Sequence, residues 1–465
     1  MLSSLLSSSS STSSIDISSI LEAAFGASSS GLDVSSAVSA AITAAREPET
    51  NWSNQESTLQ SQVSALQSIE SYTSSLDNDV QSLNSIVGPL SSRSVTSSNS
   101  SLVTASAASG TTSGTHTVVV NNLATTASWT SGSFTSSSTA LPAGSFTITT
   151  ADGTSTTITT DGTETLSDLA SEINGDNLGV TASIVTDASG SRLAIAANSS
   201  GSASNFTISS SDSDFGFTQA ATGTNASLTV DGISISSASN TVTGAVSGVT
   251  LNLVGASAGT TVTLTVSPNT SSAETAINQF VSDYNTLISA LNTQFTFDGS
   301  SEGVLASDST VRNLQNQLLG ALSYSYTPSS GTTTVPNLTS LGISVGNDGT
   351  LTVDSSTLES VLANNFSDVQ NFFQGSSMNG FANTLDQELT SYTNSSNGAF
   401  TVDLQSMNSQ INDLEQDISN FETNYITPLQ TRLQSEYSEA ETLLQELPNE
   451  TKQIDTMLGY NNSNS

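Results

Sequence analysis

Few residues in this sequence have the types and spacing that a catalytic or metal site requires. His116 is the only histidine and there is no cysteine, so a metal site or a nucleophile–base pair built on these residue types lacks a second member. Asp212-Ser213-Asp214 could begin a calcium loop, but the remaining ligands and the glycine at the required spacing are missing. The sequence also contains no phosphate-binding loop of the Walker type. We therefore predict that the protein is not an enzyme and has no catalytic residue, metal site or cofactor.

The charge balance excludes two classes of partner. The 465 residues include 6 Lys and Arg against 41 Asp and Glu, which gives a formal net charge of −35. Such a chain cannot neutralise phosphates, so we predict no nucleic-acid binding. It is also repelled by anionic membrane surfaces. No apolar run reaches the roughly 18 residues of a membrane-spanning helix, so we predict no membrane insertion.

Composition and the N-terminal residues together favour a secreted, extracellular protein. Charged residues make up only 10% of the chain, and small hydroxyl and amide residues fill many polar positions instead. The start, from Met1 to Ser14, has no basic residue, although a cleaved secretory signal requires one. We therefore expect export by a dedicated machine that reads an uncleaved N-terminus.

Both ends of the chain carry the apolar stripe of a helix that packs along a partner. Near the N-terminus the spacing predicts a bundle stripe formed by Leu59, Leu66, Ile69, Leu76 and Leu83. Near the C-terminus it predicts an oligomer or filament interface formed by Leu404, Met407, Ile411, Leu414, Ile418, Phe421 and Tyr425. Between the two ends the apolar period changes to two, which is typical of strands. We predict an α+β multidomain fold in which N- and C-terminal helices pair into a helical bundle or coiled coil, with two β-rich domains inserted in the middle.

Prolines and one polar residue limit these helices. Pro48 should separate a first helix from a second one at about 53–87. The N-terminal stripe weakens at Thr73, which favours a place inside the bundle for this helix. Pro428 falls on the three- and four-residue spacing of the C-terminal apolar stripe, and Pro448 follows further along the chain. We therefore expect the last helix to bend or end at these prolines.

Several short stretches resemble the flagellar filament cap proteins, the hook-associated protein 2 family. They follow one another in the family's order: GLDVSS (31–36) with REP (46–48), FVSDYNTL (280–287), GVLASDST (303–310), and LGI (341–343) with DGTL (348–351). The segment 165–174 is similar to the flagellin-hook insertion motif of other flagellar proteins. Each stretch alone is weak, but five in order are specific. The Ser-rich head is longer than the family usually carries.

Periodicity and this resemblance together imply seven segments. They are a flexible terminal segment (1–40), the N-terminal helices of a helical leg domain (41–97), the first part of an inner β domain (98–136), an outer β-rich domain with the insertion-like module (137–222), the return part of the inner β domain (223–268), the C-terminal part of the leg domain (269–401), and a C-terminal coiled-coil helix with a flexible tail (402–465).

The resemblance also implies a function without covalent chemistry. It implies a homo-oligomeric, pentamer-like ring at the distal filament tip that retains exported flagellin, promotes its folding and insertion, and is required for filament elongation, with cell adhesion as a further role. The implied partners are flagellin, hook–filament junction proteins, the flagellar type III export apparatus and a cytoplasmic export chaperone. Two alternatives stay open: a secreted acidic surface adhesin, and another flagellar junction or filament subunit.

Overall fold

The computed structural model describes residues 34–210, 213–296, 302–328, 331–375 and 379–457. Within these ranges, helices form both ends of the chain and antiparallel sheets form its middle. The predicted α+β fold class is therefore confirmed. The flexible segments predicted at the two termini lie mostly outside the described residues, but 34–40 belong to the first helix.

Two helices separated by a short break form the N-terminal part. Helix α1 (Val34–Ala45) and helix α2 (Glu47–Asn84) meet at Arg46, close to the predicted interruption. However, α2 begins well before residue 53, because Pro48 lies in its first turn, where the helix needs no backbone N–H. After α2 the chain reverses through a 3-10 turn at Pro89–Ser91.

The middle of the described chain consists of strands with one short α-helix among them. In chain order the elements are β1 (Arg93–Ser97), β2 (Val103–Ala107), β3 (Gly114–Asn122), β4 (Ser128–Thr130), β5 (Gly144–Thr150), β6 (Ser155–Thr160), α3 (Leu166–Gly175), β7 (Val180–Asp187), β8 (Gly190–Ala197), β9 (Phe206–Ser210), β10 (Thr218–Ala221), β11 (Ala226–Val230), β12 (Ile233–Ser237), β13 (Thr241–Val246), β14 (Val249–Leu253) and β15 (Val262–Pro268). Buried and more exposed side chains alternate along β5 and β8, so these strands turn one face to a core.

The first β-rich core, here called the inner β core, is built from two antiparallel sheets. One sheet has the strand order β1-β15-β3-β11-β12, and the other has the order β13-β14-β2. Val118 and Val120 of β3 and Leu251 of β14 are among its buried residues. Arg93 of β1 pairs with Pro268 of β15, so the chain enters and leaves this core at one place.

The second β-rich core, here called the outer β core, contains α3 and two further sheets. Their strand orders are β10-β4-β8-β7 and β6-β5-β9. Thr165 and Asp168 form a reciprocal capping box at the start of α3. Ala127 and Trp129 already pack in this core, so it begins before the boundary predicted at 137. The sequence did not reveal this start because β4 has only three residues.

The helical core brings together both ends of the chain. After the β cores come α4 (Thr270–Phe295), α5 (Ser309–Ala321), a hairpin of β16 (Ile343–Val345) and β17 (Leu351–Val353), α6 (Ser355–Asn364), α7 (Phe366–Gln374) and α8 (Phe381–Thr393). Together with α2 they surround a cluster of aromatic rings. In that cluster Phe381 stacks on Phe372 and meets Phe280 edge to face.

The C-terminal helices continue past both prolines. Helix α9 (Ala399–Phe421) leads through a π-helical turn (Glu422–Ile426) into α10 (Thr427–Met457). The expectation that the last helix ends at Pro428 or Pro448 is therefore wrong, and a bend there stays a prediction. Pro428 lies in the first turn after the wider π-helical turn, which accommodates the missing N–H, and Pro448 lies inside α10. Among the described helices, none combines the length and apolar character that a membrane crossing requires.

Candidate assembly surface

Helix α9 packs antiparallel along the N-terminal half of α2. At the end where α2 begins, the ring centroids of Trp52 and Phe421 lie 5.4 Å apart in an edge-to-face contact. At the other end, Leu404 and Met407 of α9 pack against the helical core. We call the apolar residues of this pair the α2–α9 seam: Trp52, Leu59 and Val63 on α2, and Leu404, Met407, Ile411, Leu414, Ile418 and Phe421 on α9.

Arg46 fixes one end of the seam by charge. Its Nη1 lies 2.6 Å from Oε2 of Glu49 and 2.7 Å from Oε2 of Glu422, and its Nη2 donates to Oε1 of Glu422 at 2.9 Å. The hydrogen bond with Glu422 is the main cause that raises the pKa of Arg46. Because the Arg46 side chain is 34% exposed, this network sets geometry more than it adds stability.

The seam is only half-covered in the single chain. The predicted interface residues from Leu404 to Phe421 are all half-buried, and so are the three seam residues of α2. Two helices cover one side of an a/d stripe, so the other side of these residues stays open to solvent. The structure therefore brings six of the seven predicted interface residues together on one apolar surface.

Tyr425, the seventh predicted interface residue, lies off this surface. It is 50% exposed and its ring stacks on Phe421, with centroids 5.0 Å apart. The π-helical turn adds a residue to the helix, which shifts the apolar grid by one position and buries Ile426 completely instead. Apolar spacing alone does not point to Ile426, because strict steps of three and four along a regular helix select Tyr425.

All residues of the predicted bundle stripe except the first, Leu59, lie in the helical core. Leu59 is half-buried in the seam, whereas the others are at most 1% exposed: Leu66, Ile69, Leu76 and Leu83. The stripe does not weaken at Thr73, which is fully buried. Its hydroxyl donates to the Ile69 carbonyl at 2.7 Å, so a polar residue fits this apolar face without an unpaired donor.

Helix α1 covers only the first part of α10. Val38 and Ile42 of α1 form a small core with Ile426, against which Leu429, Leu433 and Tyr437 of α10 also pack. Beyond this point α10 exposes large apolar side chains, at Leu443, Leu447, Ile454 and Met457. Val38 and Ile42 were not among the predicted packing residues, although their spacing of four residues on a helix was a usable signal.

The residues first considered for chemistry serve the inner β core instead. Nδ1 of His116 lies 2.7 Å from Oδ2 of Asp231, whose Oδ1 accepts a hydrogen bond from the Thr117 backbone N–H at 2.8 Å. These contacts join β3 to the turn between β11 and β12. Asp212 lies outside the described residues. In the described part of the chain, no group of three or more His, Cys, Asp or Glu could hold a metal ion.

Paired terminal helices, a helical core closed by both chain ends and two inserted β cores define a multidomain α+β protein. The family profile for the flagellar hook-associated protein 2 N-terminus matches residues 30–127, and the profile for its C-terminus matches 223–449. A profile for the flagellin hook IN motif matches 145–199 in the outer β core. The chain belongs to the flagellar hook-associated protein 2 family.

Two curated relatives and one crystal structure illustrate the likeness. The B-type flagellar hook-associated protein 2 of Pseudomonas aeruginosa is 32% identical over 135 residues, which are 28% of this chain and 27% of the relative. The flagellar hook-associated protein 2 of Escherichia coli K12 is 34% identical over 135 residues, 27% of this chain and 28% of the relative. The chain thus spans about a quarter of the length of these relatives.

The crystal structure is that of the D1-D2-D3 domains of the flagellar cap protein FliD from Escherichia coli. It has 27% sequence identity and a TM-score of 0.59, and the match covers 74% of this chain and 99% of that one. The arrangement of helical and β-rich parts is therefore shared over almost the whole of the solved protein.

Proposed function

We propose that this protein is the cap of a bacterial flagellar filament. In this proposal it forms a homo-oligomeric, pentamer-like ring at the distal filament tip, outside the cell. The ring retains exported flagellin, promotes its folding and insertion, and thereby supports filament elongation. It works by binding and confinement, without covalent chemistry, cofactor or metal.

The half-covered α2–α9 seam is the observation that carries this proposal. A single chain leaves one side of an apolar stripe in water, and helices with such a stripe bury it against further helices. We propose that α2 and α9 form a leg, and that the open side of Ile411, Leu414 and Ile418 contacts a neighbouring subunit or the filament end. The inner and outer β cores would then form the plate of the ring.

The remaining partners follow from the same role. We propose that the chain leaves the cell through the flagellar type III export apparatus, guarded by a cytoplasmic chaperone, and that it meets hook–filament junction proteins before flagellin. Exposed faces of the β cores are where a role in cell adhesion would reside. The division into flexible ends, leg, inner β and outer β segments remains part of this proposal.

Complementation of a deletion strain tests function and surface separately. Deleting the gene should leave filaments short or absent, with flagellin monomer in the medium, and the natural gene should restore them. Ile411→Asp with Ile418→Asp should not restore filaments, because each carboxylate would lie in a contact that excludes water. Secreted protein of this variant should keep the strand signal of its β cores in circular dichroism.

A matched variant on the same helix controls for added charge. Asn412→Asp with Ser419→Asp changes the adjacent exposed positions and should restore full-length filaments. Normal filaments in the deletion strain would reject the cap function itself. Restoration by the Ile411→Asp and Ile418→Asp gene would leave that function standing and reject the seam as the assembly surface.

A further inference from the structure

Two aspartates near the end of α2 face carboxyl groups on other helices. Asp77 is only 8% exposed and faces Asp386 of α8. Its Oδ2 accepts hydrogen bonds from Gln81 Nε2 and Thr393 Oγ1, both at 3.3 Å. Its Oδ1 is buried and has no hydrogen-bond donor among the described residues. A buried carboxyl oxygen without a donor completes its bonding when the carboxyl group itself carries a proton.

Asp79 repeats this arrangement towards a different helix. It faces Asp283 of α4, and its Oδ2 is buried with no donor from the described chain. The same stretch of α2 therefore faces carboxyl groups on two neighbouring helices, α8 and α4, from positions two residues apart. Both contacts lie in the part of α2 that is buried in the helical core, beyond the seam.

No basic group lies on the helices around these pairs. Helices α1, α2, α4, α7, α8 and α9 contain no Lys, Arg or His. Besides the two pairs, the titratable groups on the helices packed against this part of α2 are Glu274 and Tyr284 of α4, Asp368 of α7, Glu388 and Tyr392 of α8, and the acids of α9, beginning with Asp403. All of these are acids, so the helices packed around the pairs supply no cation that could compensate a second negative charge in either pair.

The surroundings favour the protonated forms. Burial, followed by the charge of Asp386, raises the pKa of Asp77 to about 6. Burial, followed by the hydrogen bond with Asp283, raises the pKa of Asp79 to about 7. Two carboxyl groups in contact titrate as a pair, because the first ionisation opposes the second.

We propose that each pair shares one proton, so that carboxylic acid–carboxylate hydrogen bonds hold α2 to α8 and to α4, and that a rise in pH breaks both attachments. The folded chain binds more protons than the unfolded chain, whose aspartates ionise near pH 4. The stabilisation is therefore complete below about pH 4 and is lost as the pH rises through about 6 to 7. Because α2 also carries one side of the seam, the proposed leg would be anchored by these protons.

Urea unfolding of the full chain, followed by far-ultraviolet circular dichroism, tests this switch. The midpoint of the helical transition should fall by on the order of 1 M urea between about pH 5 and about pH 8. Asp77→Asn with Asp79→Asn should remove most of that fall, because an amide donates permanently where the shared proton did. At about pH 8 this variant should be at least as stable as the natural protein.

Each pair can also be neutralised from its other side. Asp386→Asn with Asp283→Asn should flatten the pH dependence in the same way, which keeps the test valid if the first variant folds poorly. Glu359→Gln, at an exposed position of α6, should leave it unchanged. An unaltered pH dependence in both double variants would overturn the proposal. So would a calcium-dependent rise of the natural midpoint at about pH 8 that the variants lack, because a cation would then occupy the pairs.

Discussion

At the scale of single residues, the side chain of Asn285 forms the two hydrogen bonds to the backbone that a neighbouring strand would otherwise form. Its Nδ2 donates to the Leu351 carbonyl at 2.8 Å, and its Oδ1 accepts from the Leu351 N–H at 2.7 Å. The side chain thus satisfies both backbone groups of a residue in β17 and fastens the β16–β17 hairpin to α4. Two of the stretches that carry the family resemblance, 280–287 and 348–351, are joined by this contact.

Replacing Asn285 with Asp should destabilise the helical core. The carboxylate can still accept from the Leu351 N–H, but it cannot donate to the carbonyl and repels it. We expect a loss of about 1–3 kcal/mol in the free energy of unfolding, measured by urea titration at about pH 7. Asn420→Asp, at an exposed position of α9, is the matched control and should change stability little. Equal stability of both variants would contradict this role.

Residue positions differed in how well the sequence predicted them. Leu66 and Ile69 were predictable, because heptad spacing reports which face of a helix is apolar. The pairing of Asp77 with Asp386 was not, because nothing local indicates that a carboxyl group will meet another one hundreds of positions away in the chain. Burial of polar residues depends on tertiary contacts, which spacing does not encode.

At the scale of elements, the π-helical turn at Glu422–Ile426 sets the rotation of α10 relative to α9. Just before it, the ring of Phe421 packs on Trp52 of α2; at its last residue Ile426 faces α1, and Leu429 packs there after it. A π-helical turn is equivalent to one inserted residue, and each residue turns a helix by about 100°. Because of this turn, one continuous helix directs its apolar side first to α2 and then to α1.

Deleting Asn424 should return this segment to regular α-helix and rotate α10 by about 100° relative to α9. Ile426 would then leave its contact with Val38 and Ile42, and α1 would lose its buried side. We expect faster cleavage of the α1 segment in limited proteolysis, with the β cores unaffected. Asn424→Ala keeps the residue count and should be cleaved like the natural chain. Equal cleavage of both variants would show that the turn does not set this rotation.

Strand prediction succeeded where a strand has a buried face. Alternation revealed β5 and β8, because every second side chain of these strands is turned to the outer β core. It could not reveal β10, because all four of its residues are exposed and no period remains in the sequence. The continuation through Pro428 was missed for a related reason: π-helical bonding has no signature in apolar spacing.

At the scale of the whole molecule, charge opposes assembly. From residue 402 onward the sequence has eleven acidic residues and two basic ones, Arg432 and Lys452. The acidic residues are Asp403, Asp413, Glu415, Asp417, Glu422, Glu436, Glu439, Glu441, Glu446, Glu450 and Asp455. Within the described residues, Arg432 pairs with the exposed Glu436 of its own helix at 3.8 Å, and such an exposed pair compensates little of the negative charge. Bringing several such helices together therefore raises like-charge repulsion.

Association of the full chain should consequently strengthen with salt. Sedimentation at about 0.01 M and about 1 M NaCl compares Debye lengths of about 30 Å and about 3 Å. We expect larger assemblies at high salt. Glu415→Gln with Asp417→Asn, at exposed positions of α9, should shift association to lower salt. Dissociation at high salt would show that ion pairs, and not apolar contacts, hold the assembly together.

The path of the chain between its two halves affects how the molecule can fold. Ser92 and Asn269 stand at the entrance and exit of the inserted part, and the Asn269 N–H donates to the Ser92 carbonyl at 3.0 Å. While that insert is unstructured, α2 and α4 are separated by a long loop whose closure costs entropy. Once the β cores have formed, the end of α2 and the start of α4 are already close together. Pairing these two helices then no longer carries the entropic cost of closing the long loop. A chain that emerges gradually can thus complete its β cores first and close the helical core last, when α9 arrives.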